Sequence, residues 1–150
     1  MGRMYTVSFT NVAVTAAQDF FQIEGLAGDT ILHACFISQN TDVGDAAAEN
    51  LTIRFRHVTD ALTNVTAEVK LDQGSAAALA DLNVNDTTAL VTGAETIHVE
   101  DWNIAMPFAW IPTPEMRIHV PKDDVVTVNL VTTPADSLTV SGTLYFEEIG

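Results

Sequence analysis

The sequence predicts an all-β domain, an antiparallel two-sheet sandwich of jelly-roll-like type with about eight or nine strands. Three observations predict it. Thr (19), Val (16) and Ile (9) make up 44 of the 150 residues, and β-branched side chains suit a pleated, half-buried surface better than a helix. Apolar residues alternate with polar ones at both ends of the chain, the period of a strand with one buried face. Strand signals recur at irregular spacing around one long central connection, which suits two packed sheets better than an evenly wound barrel.

Taken in order, Tyr5, Val7 and Phe9 alternate with Thr6, Ser8 and Thr10 in the first strand, and Phe21 and Ile23 flank Gln22 in the second. Residues 25–29 supply a turn with two glycines. Residues 30–39 are apolar on both parities, as expected of a central strand covered on both sides. Residues 40–50 are polar, acidic and Ala-rich and read as a loop, with a helical turn at 45–49. Leu51, Ile53 and Phe55 alternate with Thr52, Arg54 and Arg56, giving a one-sided strand with a basic outer face. Between residues 60 and 95 the pattern weakens to a short strand at 68–71, a helical turn at 75–82 and a turn-rich stretch at 83–93. Strands return at 96–100 and 104–111, where Pro107 argues for an edge or a bulge, and at 116–120 between prolines. Val126, Val128 and Leu130, a turn at 133–137, and Leu138, Val140, Leu144 and Phe146 then predict an antiparallel hairpin. No repeat or linker divides the chain, so residues 1–150 are expected to form one domain.

Composition narrows the function classes. With 6 basic against 20 acidic residues the formal net charge is -14, and the bases Arg3, Arg54, Arg56, Lys70, Arg117 and Lys122 are scattered. A nucleic-acid binder needs them clustered against phosphates, so neither nucleic acid nor an anionic membrane is an expected partner. No apolar run approaches the length of a spanning helix. The first residues carry no apolar signal core, so synthesis in a cytoplasm is expected. Cys35, set in an apolar run, reads as a small core residue.

Candidate chemistry is sparse. Jelly rolls can aim neighbouring histidines at a metal, but His33, His57, His98 and His119 each stand alone, so no cofactor or metal is expected. His98 and Glu100 share one side of a strand opposite Ile97 and Val99, as a solvated or interface pair would. The loop carrying Asp42, Asp45 and Glu49 is rich in carboxylates but lacks the calcium-loop spacing of alternate oxygen ligands. No nucleophile elbow or phosphate loop is present, and the expectation is a non-enzyme. Trp102, Phe108, Trp110 and Tyr145 are candidate sugar platforms, although aromatics in so small a sandwich more often anchor the core or an interface.

Three stretches carry a resemblance. Residues 20–29 beginning Phe20-Phe21-Gln22-Ile23-Glu24, with the segment from Ile37-Ser38-Gln39-Asn40 to Glu49, form the first. His98-Val99-Glu100-Asp101-Trp102-Asn103-Ile104 is the second, and Pro134-Ala135-Asp136 through Tyr145-Phe146-Glu147-Glu148 the third. Together they resemble a family of small proteins encoded by tailed bacteriophages and prophages. The resemblance implies a virion protein, foremost a capsid decoration or cement protein bound to the major capsid protein and assembled as a homotrimer. A tail, neck or receptor-tip protein and a carbohydrate-binding module are the alternatives. On this expectation the contacts come from Arg3 and Tyr5 in the N-terminal arm, from Asp42, Asp45 and Glu49, and from Trp102, Phe108 and Trp110.

Overall fold

The two alternating segments at opposite ends of the sequence meet as neighbours. In a computed structural model that describes residues 2–40 and 49–150, β1 (Arg3–Val14) runs antiparallel to β11 (Leu138–Ile149), from Arg3 opposite Glu148 to Val14 opposite Leu138. Between them lie β2 (Gln18–Glu24), β3 (Asp29–Gln39), β4 (Asn50–Val58), β5 (Val69–Lys70), β6 (Asp81–Asp86), β7 (Glu95–Asn103), β8 (Phe108–Trp110), β9 (Ile118–Val120) and β10 (Val125–Leu130). A 3-10 turn at Pro114–Met116 precedes β9. One sheet has the order β5-β1-β11-β3-β8, with β9 also on β3, and the other β6-β2-β10-β4-β7. Every strand pair is antiparallel. The chain changes sheet at each step from β1 to β4, and again from β7 to β8, from β9 to β10 and from β10 to β11, whereas β4 and β7 pair within one sheet, which is the winding of a jelly roll.

The core fills the space between the sheets with the side chains of one parity. Tyr5 stacks on Phe146 with ring centroids 5.3 Å apart, Phe9 meets Phe21 at 5.3 Å, and Phe55 meets Trp110 at 4.6 Å. Gly142 makes room for this: a Cβ there would lie 2.9 Å from the Phe9 ring and 3.2 Å from that of Phe21.

Several expectations are corrected. Eleven strands are described where about eight or nine were expected, because β5, β6 and the separated β8 and β9 are short and weakly patterned. The predicted hairpin does not form. β10 pairs with β2 and β4 in one sheet, and β11 with β1 and β3 in the other. Residues 131–137 are long enough to cross between layers about 10 Å apart, and each strand finds its apolar neighbours there. The strands covered on both faces are β10, all six residues of which are buried, and β2, buried from residue 18 to 23, rather than β3, where Phe36 and Ser38 face outward. Residues 75–80 form no helical turn. The basic outer face of β4 is half lost, because Arg56 is buried under the connection between β4 and β7 while Arg54 is only partly covered.

That connection also seals one side of the sandwich. The Leu71 amide donates to Met4 O, the Tyr5 hydroxyl to Ala76 O, and the Leu79 and Ala80 amides to Glu148 Oε1 at 2.7 and 2.6 Å. The Thr66 amide donates to Leu82 O, so β5 and β6 close the β1 side.

Candidate functional site

The opposite side stays open. β7 is the last strand of its sheet, with β4 on one edge and no strand on the other among the described residues. Six of its nine residues are exposed. Pairing with β4 sets Val99 opposite Arg54, His98 opposite Phe55 and Thr96 opposite Arg56, so Ile97 is the extra residue of a β-bulge. The bulge corrects the expected parity: Ile97 joins His98 in lining the space between the sheets, while Val99 stays on the outer face.

That space is a trough between β7 and β8. Its first part, about 370 Å³, is lined by Ile97, His98, Glu100, Trp110, Ile111, Met116 and Ile118 among others. Its second, about 330 Å³, runs past Trp102, Met106, Pro107 and Phe108, and both include Glu100 and Ala109. Aliphatic side chains form the rim, with Ile111 67% and Met116 71% exposed. His98 sits edge-on to Phe55 and reaches Glu100 Oε2 at 3.4 Å, the pair expected from their spacing.

The candidate contact residues divide sharply. Trp102, Phe108 and Trp110 come together along the trough but turn inward and are buried, the Trp102 indole donating to Met106 O at 2.6 Å. Their exposed neighbours, Ile97, Met106, Ile111 and Met116, form the outer surface. Tyr5 is fully buried on the sealed side, and Arg3 lies exposed on that same side, opposite Glu148. Glu49 braces the start of β4, its carboxylate accepting the Ala135 amide at 2.8 Å and its carbonyl the Ile104 amide. Asp42 and Asp45 lie outside the described residues.

A second constellation was invisible in the sequence. On the outer face of β2, β10 and β4, beneath residues 87–92, the buried Asp19 carboxylate accepts from Gln22 Nε2 and the Leu90 amide at 2.9 Å and from Asn129 Nδ2 at 2.8 Å. Arg56 Nη2 lies 3.5 Å from Asp19 Oδ1 and donates to Leu90 O, while its Nε donates to Thr127 Oγ1. Burial lowers the Arg56 guanidinium from its ordinary value, and the Asp19 carboxylate opposes that shift. A buried charge pair whose other lone pairs and protons are satisfied this fully acts as a clamp, tying the connection to the sheet. Sequence reasoning placed Arg56 on a basic outer face and assigned Gln22, Thr127 and Asn129 no role. The signal available was that these polar residues share one parity on three strands.

On the outer face of the other sheet, a depression of about 250 Å³ is lined by the hydroxyls of Ser8, Thr10, Ser38, Ser141 and Thr143 and by Phe36, with no charged group. Tyr145 sits edge-on to Phe36 at 6.0 Å.

Among the described residues no three or more His, Cys, Asp or Glu side chains cluster as metal ligands, and no helix is long and apolar enough to cross a membrane. No family model, curated protein or solved structure matches the chain.

Proposed function

We propose that this chain is a structural protein of a tailed-phage virion, a decoration or cement protein that stabilises the mature shell through contacts with the major capsid protein and with further copies of itself. The observation that carries the reading is the asymmetry of the sandwich. Its β1 side is sealed by the chain's own connection, whereas the β7 side presents a strand edge without a partner strand among the described residues and an aliphatic-rimmed trough. Exposed apolar surface of this kind, bordered by charge, marks protein contact. The jelly roll serves shell, lectin and cupin domains alike, so the fold is compatible with the reading without deciding it. Binding only the assembled lattice would stabilise that lattice by mass action. The test is a mass-spectrometric count of this protein against the major capsid protein in purified particles. Near parity supports decoration, a few copies per particle overturns it in favour of the tail or neck, and absence overturns the virion reading altogether.

A second reading has its own observation. The charge-free hydroxyl depression beside Phe36 and Tyr145, on a chain of net charge -14, suits a neutral glycan stacked on an aromatic ring, as at a receptor-binding tip. Glycan-array binding lost in Phe36→Ala supports it, and an array without signal rejects it.

A further inference from the structure

From the charge pattern and geometry of the open edge, we infer that β7 pairs antiparallel with β7 of a second copy about a two-fold axis at Val99, joining two five-stranded sheets into one. This rests on the reading of the open side as a protein contact and is independent of the virion assignment.

Unpaired strand edges offer a row of backbone donors and acceptors to another chain. β7 offers nine residues of it, with Ile97 41% and Val99 56% exposed. The charges on the strand select both partner and register. Centred on Val99, the pairing sets Val99 against itself and His98 against the second copy's Glu100, twice by symmetry. Ile97, the bulge residue, is skipped, so Thr96 faces Asp101 and Glu95 faces Trp102, and no carboxylate opposes another. A centre at His98 would set Glu95 against Glu100, and a centre at Glu100 would set that carboxylate against itself. Directly opposed like charges are destabilising, whereas the His98 ring and the Glu100 carboxylate can hydrogen-bond across the seam, so the strand is complementary to itself in one register of the three.

The trough adds to this. His98 and Glu100 point into it beside Ile97, so the two copies' troughs meet on one side of the seam, bringing the exposed Ile111 and Met116 of each towards the other. A symmetric contact of this kind is isologous and closes at two, giving a dimer in place of the trimer that the resemblance implies.

The experiment is sedimentation of the intact chain with a cysteine map of the seam. Opposed antiparallel residues have Cα atoms about 4.5–5.5 Å apart, within reach of a disulfide. Val99→Cys is therefore expected to give a covalent dimer under mild oxidation. Ile97→Cys and the comparably exposed control Val91→Cys should give little, and His98→Cys mixed with Glu100→Cys should cross-link. Cys35 is buried and does not compete. Val99→Lys sets two ammonium groups face to face and should raise the dimer dissociation constant at least about tenfold, with the folded state checked by circular dichroism. A wild-type monomer at high concentration overturns the inference, and would mean that the bulge and the acidic residues protect this edge. A trimer, or Val99→Cys cross-linking no better than Val91→Cys, overturns it as well. None of these outcomes bears on the particle count, so the two proposals fail separately.

Discussion

Asp19→Asn is the sharpest probe of the buried clamp, because it changes charge and donor pattern while keeping shape. The carboxylate receives three hydrogen bonds, two on Oδ2 from Gln22 and Leu90 and one on Oδ1 from Asn129, with Arg56 3.5 Å from Oδ1. An amide has one acceptor oxygen. Placed at the Oδ2 position it keeps two bonds, and its NH₂ then faces the donors of Asn129 and Arg56; the reverse orientation loses more. Either way a buried donor goes unsatisfied, at about 1–3 kcal/mol, and the Arg56 guanidinium loses its counter-charge. Removing one partner of a buried pair costs about 3–5 kcal/mol, so a loss of about 3 kcal/mol is expected for this isosteric change. At about 2–4 °C per kcal/mol for a chain of this size, the melting temperature should fall by roughly 6–12 °C. Urea unfolding at unchanged slope measures the loss, and hydrogen exchange at the Leu90 amide reports its local part. Arg56→Met combined with Asp19→Asn should cost less than the sum of the single changes. A single-variant loss below about 1 kcal/mol, or strict additivity, would refute the clamp.

Three other outcomes follow from the packing. Gly142→Ala drives a methyl group against Phe9 and Phe21 and should cost about 1–3 kcal/mol, read as a lower urea midpoint; an unchanged midpoint would mean that the two rings have room to move. Burial pushes the Cys35 thiol far above its ordinary value, so a thiol reagent at pH 8 should label it only at the rate of unfolding. Prompt labelling of the native chain would contradict that burial. Asp60 is held below the ordinary aspartate range, first by the Thr92 hydroxyl and then by the Thr92 and Val91 amides. Since its folded value is depressed, the contribution of this contact is present above the unfolded value and is lost as pH falls through the folded one. In an NMR titration the Val91 and Thr92 amide signals should therefore move only below the usual aspartate midpoint.

The sequence made the strands with one dry and one wet face legible. Tyr5, Val7 and Phe9, and likewise Leu144 and Phe146, declare their parity because water truly bounds their other side. The same rule misled at Arg56 and was silent at Gln22, Thr127 and Asn129, whose alternation is identical but whose outer face is roofed by residues 87–92. Periodicity records polarity and not cover, and the roof comes from the weakly patterned third of the chain. The hairpin failed for a related reason: sequential strands are usually neighbours, and nothing local in residues 131–137 says that the chain changes layer. At the open side Trp102, Phe108 and Trp110, expected as contact residues, line one trough with their rings turned inward, since large rings are the first to be drawn into a core. Ile97 and Val99 were read as sharing one side opposite His98 and Glu100, and the bulge that turns Ile97 into the trough left no mark in that alternation.

The strand order carries a consequence for how the molecule comes into being. Among the described strands no two that follow one another in the chain lie side by side: β1 waits for β11, β2 for β10 and β6, and β4 for β7 and β10. Nothing resembling a self-contained hairpin exists to act as a seed, and long loops must close before any ladder rewards them. Such a chain should fold on a timescale of about milliseconds to seconds rather than microseconds, and it spends that interval with bare strand edges on display. Crowding many nascent copies together would then favour wrong partners, so refolding yield should fall steeply as protein concentration rises.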